Sequence, residues 1–245
     1  MKKTILAVTA ALALVAGSAA ASDVHWGYSG HGAPEHWGEL DPAFEICGGG
    51  VNQSPINLTG FIEAEMVPIT FNYTGLATEV LNNGHAIQAN YAAGSTMTVA
   101  GKTFELKQFH FHSPSENQIN GEYLPMEGHF VHADKDGNLA VIAVMYKVGD
   151  ENGGMKKLWK QMPAEEGNKA GLATQVKAEE LMPVDRDYYR FNGSLTTPPC
   201  SEGVVWIVMK NPVTVSEGQV KQFTDAMGHP NNRPVQGTNA RPILQ

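Results

Sequence analysis

The 245 residues include only two cysteines, and charge is sparse, with Asp, Glu, Lys and Arg together at 17%. So few cysteines exclude a disulfide-dense scaffold and a four-cysteine metal site. The low charge, with Gly and Pro at 26 and 14 residues, excludes a disordered polyelectrolyte and a low-complexity filament. Basic residues are the scarcer sign, 17 against 25 acids, for a formal charge of −8. That balance argues against nucleic acid and against an anionic membrane surface, both of which are met by clustered Lys and Arg. No apolar run reaches the roughly 20 residues of a membrane-spanning helix, so no membrane insertion is expected. What is present, 42% hydrophobic residues in a chain of this length, suits one large globular domain with a buried core.

The first 21 residues read as a cleaved signal peptide. Lys2 and Lys3 make a basic start, Ile5 through Val15 is apolar or small, and Ala19-Ala20-Ala21 offers an A-x-A cleavage site before Ser22. No cysteine follows the run, so a lipid anchor has no attachment point. The mature domain is then 22–245, and losing two Lys takes its charge from −8 to −10. The Met-Lys-Lys opening has a bacterial character, and the expected location is the periplasm. In that oxidising compartment Cys47 and Cys200 read as a disulfide, with a chain-entropy ceiling of roughly 5 kcal/mol. A metal site, though without C-x-x-C spacing, and a catalytic thiol remain the alternatives.

Turn signals are spread evenly through the mature chain, among them Gly48-Gly49-Gly50, Asn82-Asn83-Gly84, Asp136-Gly137-Asn138 and Thr197-Pro198-Pro199. Between them, runs rich in Val, Ile, Thr and aromatics predict strands at 67–72, 78–82, 85–90, 95–99, 104–112, 126–134, 139–148, 188–191 and 203–209. Leu139 to Val148 is almost continuously apolar, as in a strand covered on both faces. Helical pattern is confined to 156–162, a stretch around 174–180, and 216–226 after the cap candidate Ser216. These readings predict a single β-dominated α+β domain.

The histidines carry the chemistry. In Gln108-Phe109-His110-Phe111-His112 the strand alternation puts Gln108, His110 and His112 on one face. The next strand carries Glu127, His129 and Val131 on one face and His132 on the other. If the two strands pair antiparallel, His129 completes a three-nitrogen cluster suited to zinc, with a fourth position left open for water. Gln108 and Glu127 lie two residues from proposed ligands on the same face, where they can fix imidazole tautomers. Taken alone, an H-x-H pair on a strand is also compatible with ordinary structural histidines. By the same reasoning His25, His31, His36 and His229 read as structural or surface residues.

At this point the sequence resembles the alpha-class carbonic anhydrases, in their exported bacterial form. The resemblance rests on Trp26-Gly27-Tyr28, Gly32-Ala33-Pro34-Glu35-His36-Trp37, Gln53-Ser54-Pro55-Ile56-Asn57 and Leu81-Asn82-Asn83-Gly84-His85. It continues through Gln108 to His112, Ser115-Glu116-Asn117, Glu127 to His132, Gly193 to Cys200 and Asn232-Arg233-Pro234-Val235-Gln236. These stretches occur in the family's order over essentially the whole mature chain.

The resemblance implies a large twisted, mostly antiparallel central sheet with short peripheral helices. It implies Zn2+ on His110, His112 and His129, with Gln108 and Glu127 behind them, and the reversible hydration of carbon dioxide to bicarbonate and a proton through a zinc-bound hydroxide. Thr196 matches the gatekeeper hydroxyl, hydrogen-bonded to Glu116 and orienting that hydroxide, and Thr197 lines the substrate site. His85 matches the proton shuttle, with Tyr28, Asn83 and Gln88 as the polar wall that holds its water. Val131, Val141, Leu195, Val204 and Trp206 match the apolar pocket for carbon dioxide. Cys47 and Cys200 match the disulfide of exported members, and sulfonamides and small anions are implied as inhibitors. Gln88 departs from the Asn of many members, one methylene longer, which bears on water order near His85 and not on the zinc site.

Without the family match, Glu116 reads as a solvated carboxylate, Thr196 and His85 as turn residues, and the pocket residues as core. Two other functions stand beside hydration: a zinc or ligand binder without turnover, and an esterase using the same site. A serine hydrolase fails for want of a G-x-S-x-G elbow.

Overall fold

The structure is a computed structural model that describes residues 24–245; the expected signal peptide lies outside the described residues. An 11-stranded sheet dominates it. From one edge the strands run Lys169–Gly171, Ala77–Asn82, Ile87–Tyr91, Lys102–His112, Met126–Ala133, Leu139–Val148, Glu202–Met209 and Tyr188–Ser194. Thr96–Val99, itself paired with Thr70–Asn72, covers the first half of Lys102–His112, and Val213–Val215 extends along Leu139–Val148. Within this sheet pairing is antiparallel except where Leu139–Val148 meets Glu202–Met209 and Val213–Val215.

The apolar strand behaves as its composition requires. Ala140 through Tyr146 are all buried, because strands pair along both edges and side chains cover both faces. Ile142, Val144 and Tyr146 join one apolar layer, and Val141, Ala143 and Met145 join the other. The first layer is closed by two helices, Gly153–Trp159 and Glu217–Met227, through Trp159 and Phe223. The second helix starts where expected, with Ser216 Oγ accepting from the Gln219 amide and Gln219 Oε1 accepting from the Ser216 amide.

Departures from expectation lie in the shortest elements. The helix expected at 156–162 begins at Gly153, where Asn152 caps it by accepting from the Met155 amide. The stretch around 174–180 is a single 3-10 turn at Ala178–Leu181. Strands of two or three residues, such as Asn57–Leu58, Gln118–Ile119 and Lys169–Gly171, are too short to establish a period of two.

One irregularity positions the site. In the Lys102–His112 strand, Leu106 pairs with His132 and Gln108 pairs with Val131, so Lys107 is an extra residue with no partner. Such a bulge shifts the alternation by one. Phe104 and Leu106 before it, and Phe109 and Phe111 after it, all enter the same apolar layer. Gln108, His110 and His112 are thereby turned to the opposite face.

Candidate metal centre

Beyond the bulge the register sets His110 directly opposite His129, and His112 opposite Glu127. The antiparallel pairing expected from the sequence thus brings three imidazoles together, with one ligand atom from each lying within 4.8 Å of the others. Among the described residues this is the one group of His, Cys, Asp or Glu with such convergence. His112 and His129 are buried and His110 is half-buried.

Each ring has one nitrogen committed to a fixed oxygen. His110 Nδ1 is 2.8 Å from Gln108 Oε1, and His129 Nε2 is 3.0 Å from Glu127 Oε1. His112 Nδ1 donates to the backbone carbonyl of Asn231 at 2.7 Å. The nitrogens left over are Nε2 of His110 and His112 and Nδ1 of His129. Of these, His112 Nε2 is buried without a hydrogen-bond partner, as a nitrogen built for a metal would be. Burial and the neighbouring imidazoles hold His110 and His129 well below the usual histidine range, and burial lowers His112. All three are neutral at pH 7, the form that ligates.

The Asn231 partner has no counterpart in the sequence reading. A backbone acceptor leaves no side-chain pattern to read, and the nearest signal is the quoted Asn232-Arg233-Pro234 stretch one residue on. Its side chain completes the anchor: Oδ1 accepts from the Ser113 amide, and Nδ2 donates to the Phe111 and His85 carbonyls.

Two carboxyls lie beneath the imidazoles. Glu127 accepts at Oε1 from Asn117 Nδ2 as well as His129, and at Oε2 from the Glu116 and Asn117 amides at 2.7 and 2.8 Å. Glu116 is wholly buried, not solvated. Its Oε1 accepts from the Arg233 amide at 2.8 Å, and its Oε2 faces His112 Nε2 at 3.5 Å and His129 Nδ1 at 3.8 Å. Burial pushes its carboxyl up to about 8, opposed by the Arg233 amide and by the Thr196 hydroxyl. Glu116 Oε2 is left buried without a hydrogen-bond partner, and no hydrogen bond of full geometry joins it to Thr196.

Thr196 sits buried in a turn closed by the Leu195 amide to the Ser201 carbonyl (3.0 Å) and the Cys200 amide to the Thr197 carbonyl (2.9 Å). The Cys47–Cys200 disulfide is formed and pins that turn. Arg233 ties both ends: its guanidinium donates to the Cys47 and Ser54 carbonyls and to Gln53 Oε1, while Gln53 Nε2 donates to the Cys200 carbonyl.

The residues expected on the proton path converge. Tyr28, Asn83, His85 and Gln88 line a cavity of about 130 Å3 together with Gln108, His110, His112 and Thr197. His85 stacks on Trp26 with ring centroids 3.7 Å apart. Asn83 Oδ1 accepts from the His85 and Ala86 amides and so shapes the turn that presents His85. The expected apolar pocket residues form a neighbouring cluster. Val141, Val204 and Trp206 are buried, Val131 and Leu195 half-buried at its edge, and the Trp206 ring lies 4.9 Å from that of His129. Of the expected pocket set only Thr197 borders the polar cavity itself. His132 points the other way, as its parity requires, and is hydrogen-bonded to Tyr73 Oη at 2.6 Å.

Three neutral imidazoles converging beside a buried carboxyl, on a mostly antiparallel sheet, make a tri-histidine group with the donor set to hold a metal ion. Comparison with known proteins sharpens that reading. The family model described as eukaryotic-type carbonic anhydrase matches residues 32–245. The chain is 45% identical to a carbonic anhydrase of Pectobacterium carotovorum, covering 98% of both chains. It is 48% identical to one of Neisseria gonorrhoeae, covering 96% of this chain and 94% of that one. Among solved structures, an alpha-carbonic anhydrase of Thermovibrio ammonificans in complex with the inhibitor sulfanilamide matches with a TM-score of 0.90 at 49% identity, covering 91% of this chain and all of that one. The chain belongs to the alpha carbonic anhydrase family of enzymes.

Proposed function

We propose that the chain catalyses the zinc-dependent, reversible hydration of carbon dioxide to bicarbonate and a proton. The observation that carries this reading is the set of three neutral imidazoles, each oriented by a fixed oxygen, with their free nitrogens gathered beside Glu116. Three nitrogen donors suit zinc and leave it an open position. His110, His112 and His129 would hold the zinc ion, which would supply a bound water acidified to about pKa 7, a value established on carbonic anhydrase itself.

The chain's own residues do the rest. Gln108, Glu127 and the Asn231 carbonyl hold the imidazole planes and tautomers. Glu116, fixed by the Arg233 amide, ionises more readily beside a bound cation and then accepts the Thr196 proton, which leaves the Thr196 oxygen free to accept from the nucleophile and orient it. Val131, Val141, Leu195, Val204 and Trp206 offer carbon dioxide an apolar wall, and Thr197 borders its site. His85, with Tyr28, Asn83 and Gln88 around the intervening cavity, carries the released proton towards buffer.

Stopped-flow carbon dioxide hydration on the mature protein, zinc-loaded, chelator-stripped and zinc-restored, tests the reading. Activity that disappears on stripping and returns with zinc supports it, and a folded, zinc-loaded protein without hydration activity overturns it. By likeness to the sulfanilamide-bound relative, sulfonamides are expected to inhibit this chain, and the family resemblance adds small anions. The same reading places cleavage after Ala21 and export to the periplasm, which N-terminal sequencing of the secreted protein checks.

A further inference from the structure

His85 has a second side. Away from the imidazole cluster it borders another cavity, of about 230 Å3, whose walls include His25, Trp26, Tyr28, Glu166 and His229. His85 and Tyr28 border both cavities, and Trp26 joins them as the surface on which His85 stacks. On this outer side His85 therefore faces two further imidazoles and one carboxyl group.

The backbone turn that carries Glu166 is held by the fold. The turn that carries it is bonded to the strand end before His85, through the Gly167 amide to the Asn82 carbonyl (2.8 Å) and the Asn82 amide to the Asn168 carbonyl (3.0 Å). The Glu166 carboxylate lies over Gly84, where any Cβ would strike it and where φ is +81°. Only glycine lets the carboxylate close onto the turn that presents His85. His229 is also oriented: its Nδ1 donates to the Pro230 carbonyl at 2.9 Å, which leaves Nε2 as a free acceptor. The His25 ring lies 6.5 Å from that of His85, centroid to centroid, at an interplanar angle of 40°.

We propose that this outer chamber is a proton-exit station for His85, in which Glu166 stabilises the protonated imidazole and His229 takes the proton on to buffer. The inference rests on the proton-carrying role proposed for His85. In balance, an N–H bond of the His85 imidazolium breaks, an N–H bond forms at His229 Nε2 through water, and buffer base then removes that proton, leaving both rings neutral. The titratable groups facing His85 from this side are His25, Tyr28, Glu166 and His229. Burial lowers His85, Glu166 opposes that effect, and His25 and His229 reinforce it. Glu166 is the one acid in the chamber and so the group that makes proton loading of His85 easier.

The test compares wild type with Glu166→Gln, His229→Ala and His85→Ala, all zinc-loaded, in carbon dioxide hydration at low and high concentrations of an imidazole buffer. The expected result for Glu166→Gln is a kcat lowered about two- to fivefold in dilute buffer with kcat/KM unchanged, the scale of one partly screened charge. High imidazole restores kcat, 0.5 M salt narrows the gap, and the loss vanishes when Glu166→Gln is combined with His85→Ala. His229→Ala shows the same buffer-dependent loss. If His85→Ala is buffer-dependent while both outer variants match wild type, the exit station is overturned and the shuttle stands. If His85→Ala itself shows no buffer-dependent loss, the shuttle reading fails and the station falls with it. Proton NMR of the His85 ring adds a readout independent of turnover: its titration midpoint drops in Glu166→Gln, and an unchanged midpoint overturns the electrostatic role.

Discussion

Leu106 and Phe109 stand three positions apart on one strand and pack into the same apolar layer. An odd separation on a regular strand puts two side chains on opposite faces. The bulge at Lys107 reconciles the two, and the same shift that keeps both apolar pairs in the core turns His110 and His112 out to meet His129. The metal-facing geometry therefore depends on one residue that touches none of it.

Deleting Lys107 removes the shift. The strand must then either turn Phe104 and Leu106 out of the core or turn His110 and His112 into it. Either costs several kcal/mol, by exposing large apolar groups or burying polar ones. The deletion variant is expected to unfold at markedly lower urea and to retain no zinc, whereas Lys107→Ala keeps both stability and zinc because the backbone count is unchanged. A deletion variant with full zinc stoichiometry, measured by elemental analysis, contradicts this account.

With zinc as the proposed metal, the oxygen partners behind the imidazoles are expected to set its affinity. Removing such a partner costs roughly 10–100-fold in metal affinity. Glu127→Gln is expected at the upper end, since Glu127 accepts four hydrogen bonds and an amide nitrogen can accept none of them. Gln108→Ala, which removes a single bond to His110, is expected at the lower end. Competition against a chelator of known affinity ranks the two, and a Glu127→Gln protein that holds zinc like wild type refutes the ordering.

What could be read from the sequence follows from which features have a period. Alternation put Gln108, His110 and His112 on one face, and the antiparallel pairing it suggested does set His110 against His129. Continuous apolarity identified Leu139–Val148 as covered on both sides. The bulge is written in the sequence as well, in the two-residue gap between Leu106 and Phe109, but a nine-residue window of mixed pattern reads as one strand. The Asn231 carbonyl carries no side-chain signature at all. Glu116 became readable only through the family resemblance, because its burial is produced by long-range bonds from its own amide to Glu127 and from the Arg233 amide to its carboxyl. The short 3-10 turns and two-residue strands depend on tertiary packing and not on local propensity.

His132 makes the fold acid-sensitive independently of the metal. It is buried, its Nδ1 donates to the Phe130 carbonyl at 2.8 Å, and its Nε2 accepts from Tyr73 Oη. Burial lowers it to about 4. An unfolded chain binds this proton near pH 6.5 and the folded chain does not, so stability is intact above about pH 6.5 and falls as pH drops towards 4. The loss is on the order of 3 kcal/mol across that window. Urea denaturation between pH 7 and 4.5 is expected to show this slope, and a His132→Gln variant, less stable at pH 7, is expected to show a shallower one. Equal slopes would remove His132 as the cause.

The disulfide is expected to govern stability more than chemistry. It closes a span of 153 residues, and losing such a bridge costs about 2–5 kcal/mol, chiefly by freeing the unfolded chain. In the folded protein the backbone on both sides stays anchored, with the Cys47 carbonyl held by Arg233 and the Cys200 carbonyl by Gln53. The Leu195–Ser201 turn that carries Thr196 also keeps its own backbone bonds. A Cys47→Ser, Cys200→Ser double variant should therefore denature at lower urea yet bind zinc with unchanged stoichiometry and retain most of its kcat/KM under native conditions. A variant of unchanged stability that has lost its zinc or its turnover would instead make the bridge part of the site's geometry, and would mean that the Arg233 and Gln53 bonds do not hold the Thr196 turn without it.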